Sequence, residues 1–279
     1  MRYGIFPIAV EGSNPSRHLR TYILDDTPAN DASIHRPIVM ICPGGGYTHV
    51  SEREGECIAM RYLAMGYHAA VLHYSVAPAR FPTALLELGA AMKLIHENAA
   101  DWHVDTANIF VQGFSAGGHL SACLGVFWNH PKLGLAQKLG TLAETLRPKG
   151  LLLAYPVIST AEMAIHKVSL QDFLGHNSSY DIDDLSVELH VSKDTPPAFI
   201  WHTANDAVVP VQNALVFASA LAQHHVPFEL HVYPYGTHGL SLANEISAGG
   251  NPQMIEPICQ NWINLAETWI KEQVNRACY

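Results

Sequence analysis

The sequence predicts an α/β fold: a mostly parallel central sheet with helices on both faces. Three observations predict it. Apolar strand-like runs alternate with helix-like stretches along most of the chain, the order that crossover helices between parallel strands produce. Several runs, such as PIVMIC and GLLLAY, are apolar throughout rather than at every second residue, as strands buried on both faces must be. Hydrophobic residues make up 48% of the 279 and charged ones 15%. That supplies one large core, so 1–279 is read as a single domain.

The elements follow in order. The stretches 3–10 and 18–24, separated by the turn-rich EGSNPSR, read as an antiparallel edge pair. Further strands are expected at 37–42, 68–74, 108–113, 150–155, 198–203 and 228–234. Helices are expected at 53–66, 81–100, 115–128, 211–225 and 254–274. In 81–100, Leu85, Leu88, Met92 and Ile95 fall on one apolar stripe, and Pro82 sits at the start, where a missing N–H costs little. Pro257 places the true start of the last helix beyond itself. Residues 129–149 read as a loop with one short helix. The long polar stretch 158–196 interrupts the alternation and reads as a small lid insertion or substrate wall.

Composition excludes several functions. A net charge of −9, with 16 basic residues scattered along the chain, disfavours nucleic acid and anionic membranes as partners. A neutral small molecule meets no such repulsion. No window reaches roughly 18 unbroken apolar residues, and MRYGIFPIAVEG lacks the apolar core of a secretory signal. The expectation is a soluble, cytoplasmic protein. Five cysteines without CxxC spacing suit reduced thiols. The 17 histidines show no HExxH and no Cys/His cluster, so no metal site is expected, and His224 and His225 read as a polar helix end. Self-association is left open by the sequence.

The chemistry begins at VQGFSAGGHLSA. Gly113, Ser115 and Gly117 form G-x-S-x-G between an expected strand and an expected helix, the context of a nucleophile elbow. So tight a turn tolerates only tiny flanking residues, and it projects the serine into the crevice at the strand ends. PGGGY follows the strand 37–42 directly. Its side-chain-free backbone lets amides approach a developing oxyanion, and the expected donors are Gly45, Gly46 and Ala116. A phosphate loop is the rival reading, but the GK[ST] ending is absent. Asp206, in HTANDAVVP, and His238, in YPYGTHGL, each follow a strand. Their chain order matches a Ser–Asp–His triad, with His238 as base and Asp206 as its orienting acid. Singly, Asp206 reads as a cap for a helix near Val209, and His238 as a turn residue. Asp181, Asp183 and Asp184 are weaker alternative acids, and His119 is expected to pack inside its helix.

Together PGGGY, SEREGECIAMRYLAMGYHAAVLHYSVAP, GFSAGGHLSA, AYPVIS, DTPPAFIWHTANDAVVP and YGTHGLSLA resemble the α/β-hydrolase esterases. Among these the chain is most similar to small bacterial acetyl-xylan-esterase-like and lipase/esterase proteins, from about residue 36 to 245. The resemblance implies the α/β-hydrolase fold, ester hydrolysis through an acyl-enzyme, and no metal or organic cofactor. Against the HGGG and GDSAGG of hormone-sensitive-lipase-like esterases, this chain has Pro43 and Phe114. That points to carbohydrate deacetylation rather than long-chain lipolysis. The expected substrate is a short acyl ester, with acetylated sugars foremost. General aryl or alkyl ester hydrolysis is the alternative, and a non-catalytic binding protein on the same fold is a more remote one. Tyr47 and Tyr155 are expected at the substrate, either stacking on a sugar or walling the pocket. Arg53 and Glu54 are expected to pair and brace the glycine loop.

Overall fold

The computed structural model describes residues 1–25, 34–161 and 180–276. One eight-stranded sheet runs through it: β1 (Arg2–Pro7), β2 (His18–Ile23), β3 (Arg36–Cys42), β4 (His68–His73), β5 (Val104–Phe114), β6 (Gly150–Ala154), β7 (Ala198–Thr203) and β8 (Phe228–Tyr233). The spatial order is β1-β2-β4-β3-β5-β6-β7-β8. β2 pairs antiparallel with β1 and with β4, and the other pairings are parallel.

Alternate residues explain the layers. Ile38, Met40, Ile109, Val111, Leu151 and Leu153 enter one core, with α2 (Thr83–Glu97), α3 (Ala116–Phe127) and α4 (Gln212–Gln223) packed over them. Val39, Ile41, Phe110, Phe114, Leu152 and Ala154 enter a second core under α1 (Glu56–Ala64) and α5 (Trp262–Asn275). Central strands such as β3 and β6 are therefore apolar on both sides, which is why their sequences show no alternation, whereas the edge strands β1 and β8 are partly exposed.

Several boundaries differ from expectation, three of them for a visible reason. β5 begins at Val104, four residues early, because Val104 pairs with Arg36 across a register shift and the polar Asp105 and Thr106 hide the continuation. The first expected helix opens with a 3₁₀ turn, Glu52–Glu54, and becomes α-helical at Glu56. The last starts at Trp262, after 3₁₀ turns at Pro252–Met254 and Pro257–Cys259. The loop 129–149 holds a short helix, Leu135–Leu139, and a 3₁₀ turn, Ala143–Leu146.

Within the expected insertion 158–196, residues 162–179 lie outside the described residues. Beyond them the chain makes two 3₁₀ turns, Ile182–Leu185 and Val187–His190, whose Leu185 and Val187 are fully buried in the first core. Among the described residues no helix is long and apolar enough to cross a membrane.

After β3 the chain crosses to one side to form β4, then returns to the other side to form β5. Loops leaving β3 and β5 at their carboxyl ends diverge there, and such a switch point leaves a crevice. The glycine loop leaves β3 and the serine turn leaves β5.

Candidate active site

Ser115 joins β5 to α3 at φ 52°, ψ −118°, a strained conformation for a residue with a Cβ. Its backbone is fixed on three sides. Its amide donates to Ala154 O, and its carbonyl accepts from His119 N and Val157 N at 3.0, 3.1 and 3.1 Å. Gly117 explains the motif: a Cβ there would run into the carbonyl oxygens of Cys42 and Pro43. Helix and glycine loop thus meet backbone to backbone. At Gly44 a Cβ would lie 3.0 Å from the Ser115 Cβ, so the glycine loop borders the serine itself.

Three distant loops converge on that hydroxyl. His238 Nε2 lies 2.8 Å from Ser115 Oγ, and His238 Nδ1 lies 2.6 Å from Asp206 Oδ2. An ionised carboxylate only accepts, so Nδ1 carries the ring proton and Nε2 of the neutral ring accepts from the serine hydroxyl. The Asp206 side chain is wholly buried and that of His238 is 15% exposed. Burial alone would raise the Asp206 carboxyl. The hydrogen bond and charge of His238, with the Val209 and Val208 amides, outweigh it and hold the group below the usual carboxylate range. Asp206 Oδ1 also accepts from Val208 N and Val209 N at 2.8 and 2.9 Å, but it does not cap α4, which starts only at Gln212.

The glycine loop turns through Gly45 at φ 124° and Gly46 at φ 60°. Its ends are pinned by Tyr74, whose hydroxyl donates to Pro43 O at 2.6 Å, and by Ala77 N donating to Tyr47 O at 2.8 Å. Gly44 N donates to Glu54 Oε2 at 2.8 Å. Among the described residues, the amides of Gly45, Gly46 and Ala116 donate to no protein acceptor.

Two expectations need correction. Tyr47 and Tyr155 are only 4% and 1% exposed, so neither ring face is open to stack on a sugar, and of the two alternatives only the wall is left. Tyr47 is drawn inward because its hydroxyl meets His119 Nδ1 at 2.9 Å, while His119 Nε2 donates to Leu185 O at 2.9 Å. Burial pushes His119 down to about 4, partly offset by the Leu185 hydrogen bond, so the ring is neutral at pH 7. Tyr155 lies behind His238, edge on, with centroids 5.1 Å apart. Arg53 and Glu54, expected to pair, reach to different loops instead. Glu54 holds the glycine loop, and Arg53 donates from Nε to Ser247 O at 2.5 Å and from Nη2 to Gly239 O at 3.2 Å.

Sequence reasoning missed Arg53 as an anchor of the histidine loop, and it missed His119 as a link between loops. The only sequence signal for the latter is its place one turn beyond Ser115. Asp181, Asp183 and Asp184 stay apart from the triad, with Asp184 bound to Lys132 Nζ at 2.7 Å. Among the described residues no group of three or more His, Cys, Asp or Glu side chains is placed to hold a metal ion.

Residues 26–221 match the family model BD-FAE. The chain is 36% identical over 219 residues to Endo-1,4-beta-xylanase B of Butyrivibrio fibrisolvens, covering 76% of this chain and 34% of that protein. It spans less than two thirds of the length of this and other curated relatives it matches. Solved structures match over nearly the whole chain, and two stand for them. One is the carboxylesterase Cest-2923 from Lactobacillus plantarum, at TM-score 0.85 and 29% identity, covering 100% of both chains. The other is an acetyl ester-xyloside bifunctional hydrolase from Caldicellulosiruptor lactoaceticus, at TM-score 0.77 and 35% identity, covering 97% of this chain and 96% of that one.

Proposed function

The chain belongs to the BD-FAE family, and on that premise we propose that it is a serine carboxylic ester hydrolase that removes short acyl groups, acetyl foremost, from carbohydrate esters. The observation that carries this reading is the unbroken relay from Ser115 Oγ through His238 to Asp206, at 2.8 and 2.6 Å, on a strained strand-to-helix turn.

Ser115 attacks the ester carbonyl while its proton passes to His238 Nε2. The negative charge that develops on the carbonyl oxygen is met by the amides of Gly45, Gly46 and Ala116, each such donor lowering the barrier by about 3 kcal/mol. The intermediate collapses as His238 returns the proton to the departing alcohol, leaving an acyl-serine. Water, deprotonated by the same nitrogen, then attacks the acyl carbon. The acid leaves, and Ser115 recovers its proton. Asp206 stays ionised throughout, because His238 and two amides favour its charged form.

The acetyl and carbohydrate reading is supported by likeness to the bifunctional acetyl ester-xyloside hydrolase. General short-chain ester hydrolysis is the second reading, favoured by the likeness to Cest-2923 over the full chain. A cytoplasmic setting is supported by the free thiols of Cys42, Cys57, Cys123 and Cys259.

Acetate release from acetylated xylo-oligosaccharides, measured beside turnover of an aryl acetate, tests the proposal. A higher kcat/KM on the oligosaccharide, lost in Ser115→Ala, is expected. Equal or lower specificity for the sugar ester overturns deacetylation in favour of the general reading.

A further inference from the structure

Glu54 is 3% exposed, and its two oxygens meet two neutral donors: Gly44 N at 2.8 Å and the Tyr155 hydroxyl at 2.7 Å. Burying a carboxylate against neutral donors is unfavourable compared with burying an uncharged side chain of the same size. The direction of the hydrogen bonds explains why a carboxylate is nevertheless required. Tyr155 Oη accepts from Ser241 N at 2.9 Å, and its own proton points to Glu54 Oε1. Burial, then the charge of Glu54, raises the Tyr155 pKa well above the usual phenol range, so that proton stays in place. Two donors therefore converge on residue 54. Glutamine offers one acceptor oxygen, and only a carboxylate offers two.

The two ends of this network are the glycine loop and the histidine loop. Gly44 opens the glycine loop, and fixing its amide sets where the following amides of Gly45 and Gly46 begin. Ser241 stands three residues after His238, in the same loop, and Tyr155 lies edge on against the imidazole. The Ser241 hydroxyl returns to Arg53 O at 2.6 Å, and Ser241 O accepts from Trp262 Nε1 at 2.8 Å. The loop carrying the base is thus tied at residue 241 to the same turn that ties the oxyanion loop at residue 44.

We infer that Glu54 and Tyr155 are positioning residues, a buried carboxylate and a phenol that hold the oxyanion loop and the base in register with each other. The inference rests on the functional reading above. Register between these two groups matters only when the carbonyl becomes tetrahedral, because the oxyanion and the imidazolium then form together. The network therefore acts on the transition state and leaves the bound ester unaffected.

The test compares Glu54→Gln, Tyr155→Phe and the double variant with the unmutated protein on an aryl acetate. The affinity of each for an aryl trifluoromethyl ketone, which forms a tetrahedral adduct with serine, is measured alongside. Each single variant is expected to lose about 10-fold in kcat with KM within about twofold, and Glu54→Ala about 100-fold. Ketone affinity is expected to fall in step with kcat, and the double variant to be no worse than the poorer single one, since both break the same chain. Near-UV circular dichroism establishes folding. If Glu54→Gln does not fold, Tyr155→Phe, which keeps the ring against His238, decides. Unchanged kcat and ketone affinity in the folded variants, or losses that simply add, overturn the inference alone. Absence of Ser115-dependent turnover in the unmutated protein overturns the functional reading and this inference with it.

Discussion

The turn that carries Ser115 and the loop that carries His238 are held in opposite ways. The turn is fixed by its own backbone and by the backbone it touches: Gly117 against Cys42 and Pro43, and the Ser115 amide and carbonyl against Ala154, His119 and Val157. The histidine loop is fixed by side chains sent from remote parts of the chain. Arg53 reaches Gly239 and Ser247, Thr203 Oγ1 donates to Gly236 O at 2.8 Å, and Asn205 Oδ1 accepts from Gly236 N at 2.9 Å. A serine held by backbone sterics tolerates almost no substitution nearby. A histidine held by several side chains should loosen by degrees.

The largest effect is expected where the two regions meet. Ser115→Ala should lower kcat by about 10⁶, and Asp206→Asn by about 10⁴. An asparagine whose oxygen stays with Val208 N and Val209 N turns its amide nitrogen towards Nδ1, and the ring proton is then forced onto Nε2, where the base cannot accept from serine. The double variant should be no slower than Ser115→Ala, measured by single-turnover kinetics. A full additive loss would mean the groups do not work as a relay.

Next comes the contrast itself. Gly117→Ala should destabilise the fold by about 3 kcal/mol, because the obstacle is backbone that has nowhere to move. Arg53→Met should leave the thermal midpoint nearly in place and lower kcat by about 10-fold. Urea unfolding and kcat together decide. Comparable behaviour of the two variants would break the distinction between backbone-fixed and side-chain-fixed regions.

The last effect is graded with pH and vanishes at neutrality. His119, pushed to about 4 by burial, is neutral when folded. Above its ordinary value of about 6.5 neither folded nor unfolded chain binds the proton, and no stability is lost. As pH falls towards 4 the unfolded chain is protonated first, and stability drops by up to about 3 kcal/mol before levelling off below it. His119→Gln, which keeps an acceptor for Tyr47 and a donor for Leu185, should flatten that slope in urea titrations between pH 6.5 and 4. An unchanged slope would assign the acid sensitivity to other groups, such as the buried His73 and His202, each also lowered to about 4 by burial.

The same contrast explains what was legible in the sequence. Backbone constraints write themselves locally: G-x-S-x-G and PGGGY marked the turn and the loop because only glycine fits there. The doubly buried strands were legible because apolar runs need no partner to be recognised. Asp206 and His238 were legible as residues at strand ends. The side-chain ties were not, since Arg53 and Ser247 stand 194 residues apart and nothing in the spacing aims one at the other. The stacking alternative for Tyr47 and Tyr155 stood open for a related reason. An aromatic beside a catalytic loop has the same sequence signature whether it faces solvent or fills the support behind it.

The sheet also splits the interior in two, and the site draws on both halves. Trp262, from the layer of α1 and α5, holds Ser241 in the histidine loop, while His119, from the layer of α2, α3 and α4, holds Leu185. Under the proposed mechanism, turnover then requires both layers to be in place at once. On warming, hydrolysis should fade when either layer loosens its hold on the site, ahead of the loss of far-ultraviolet ellipticity.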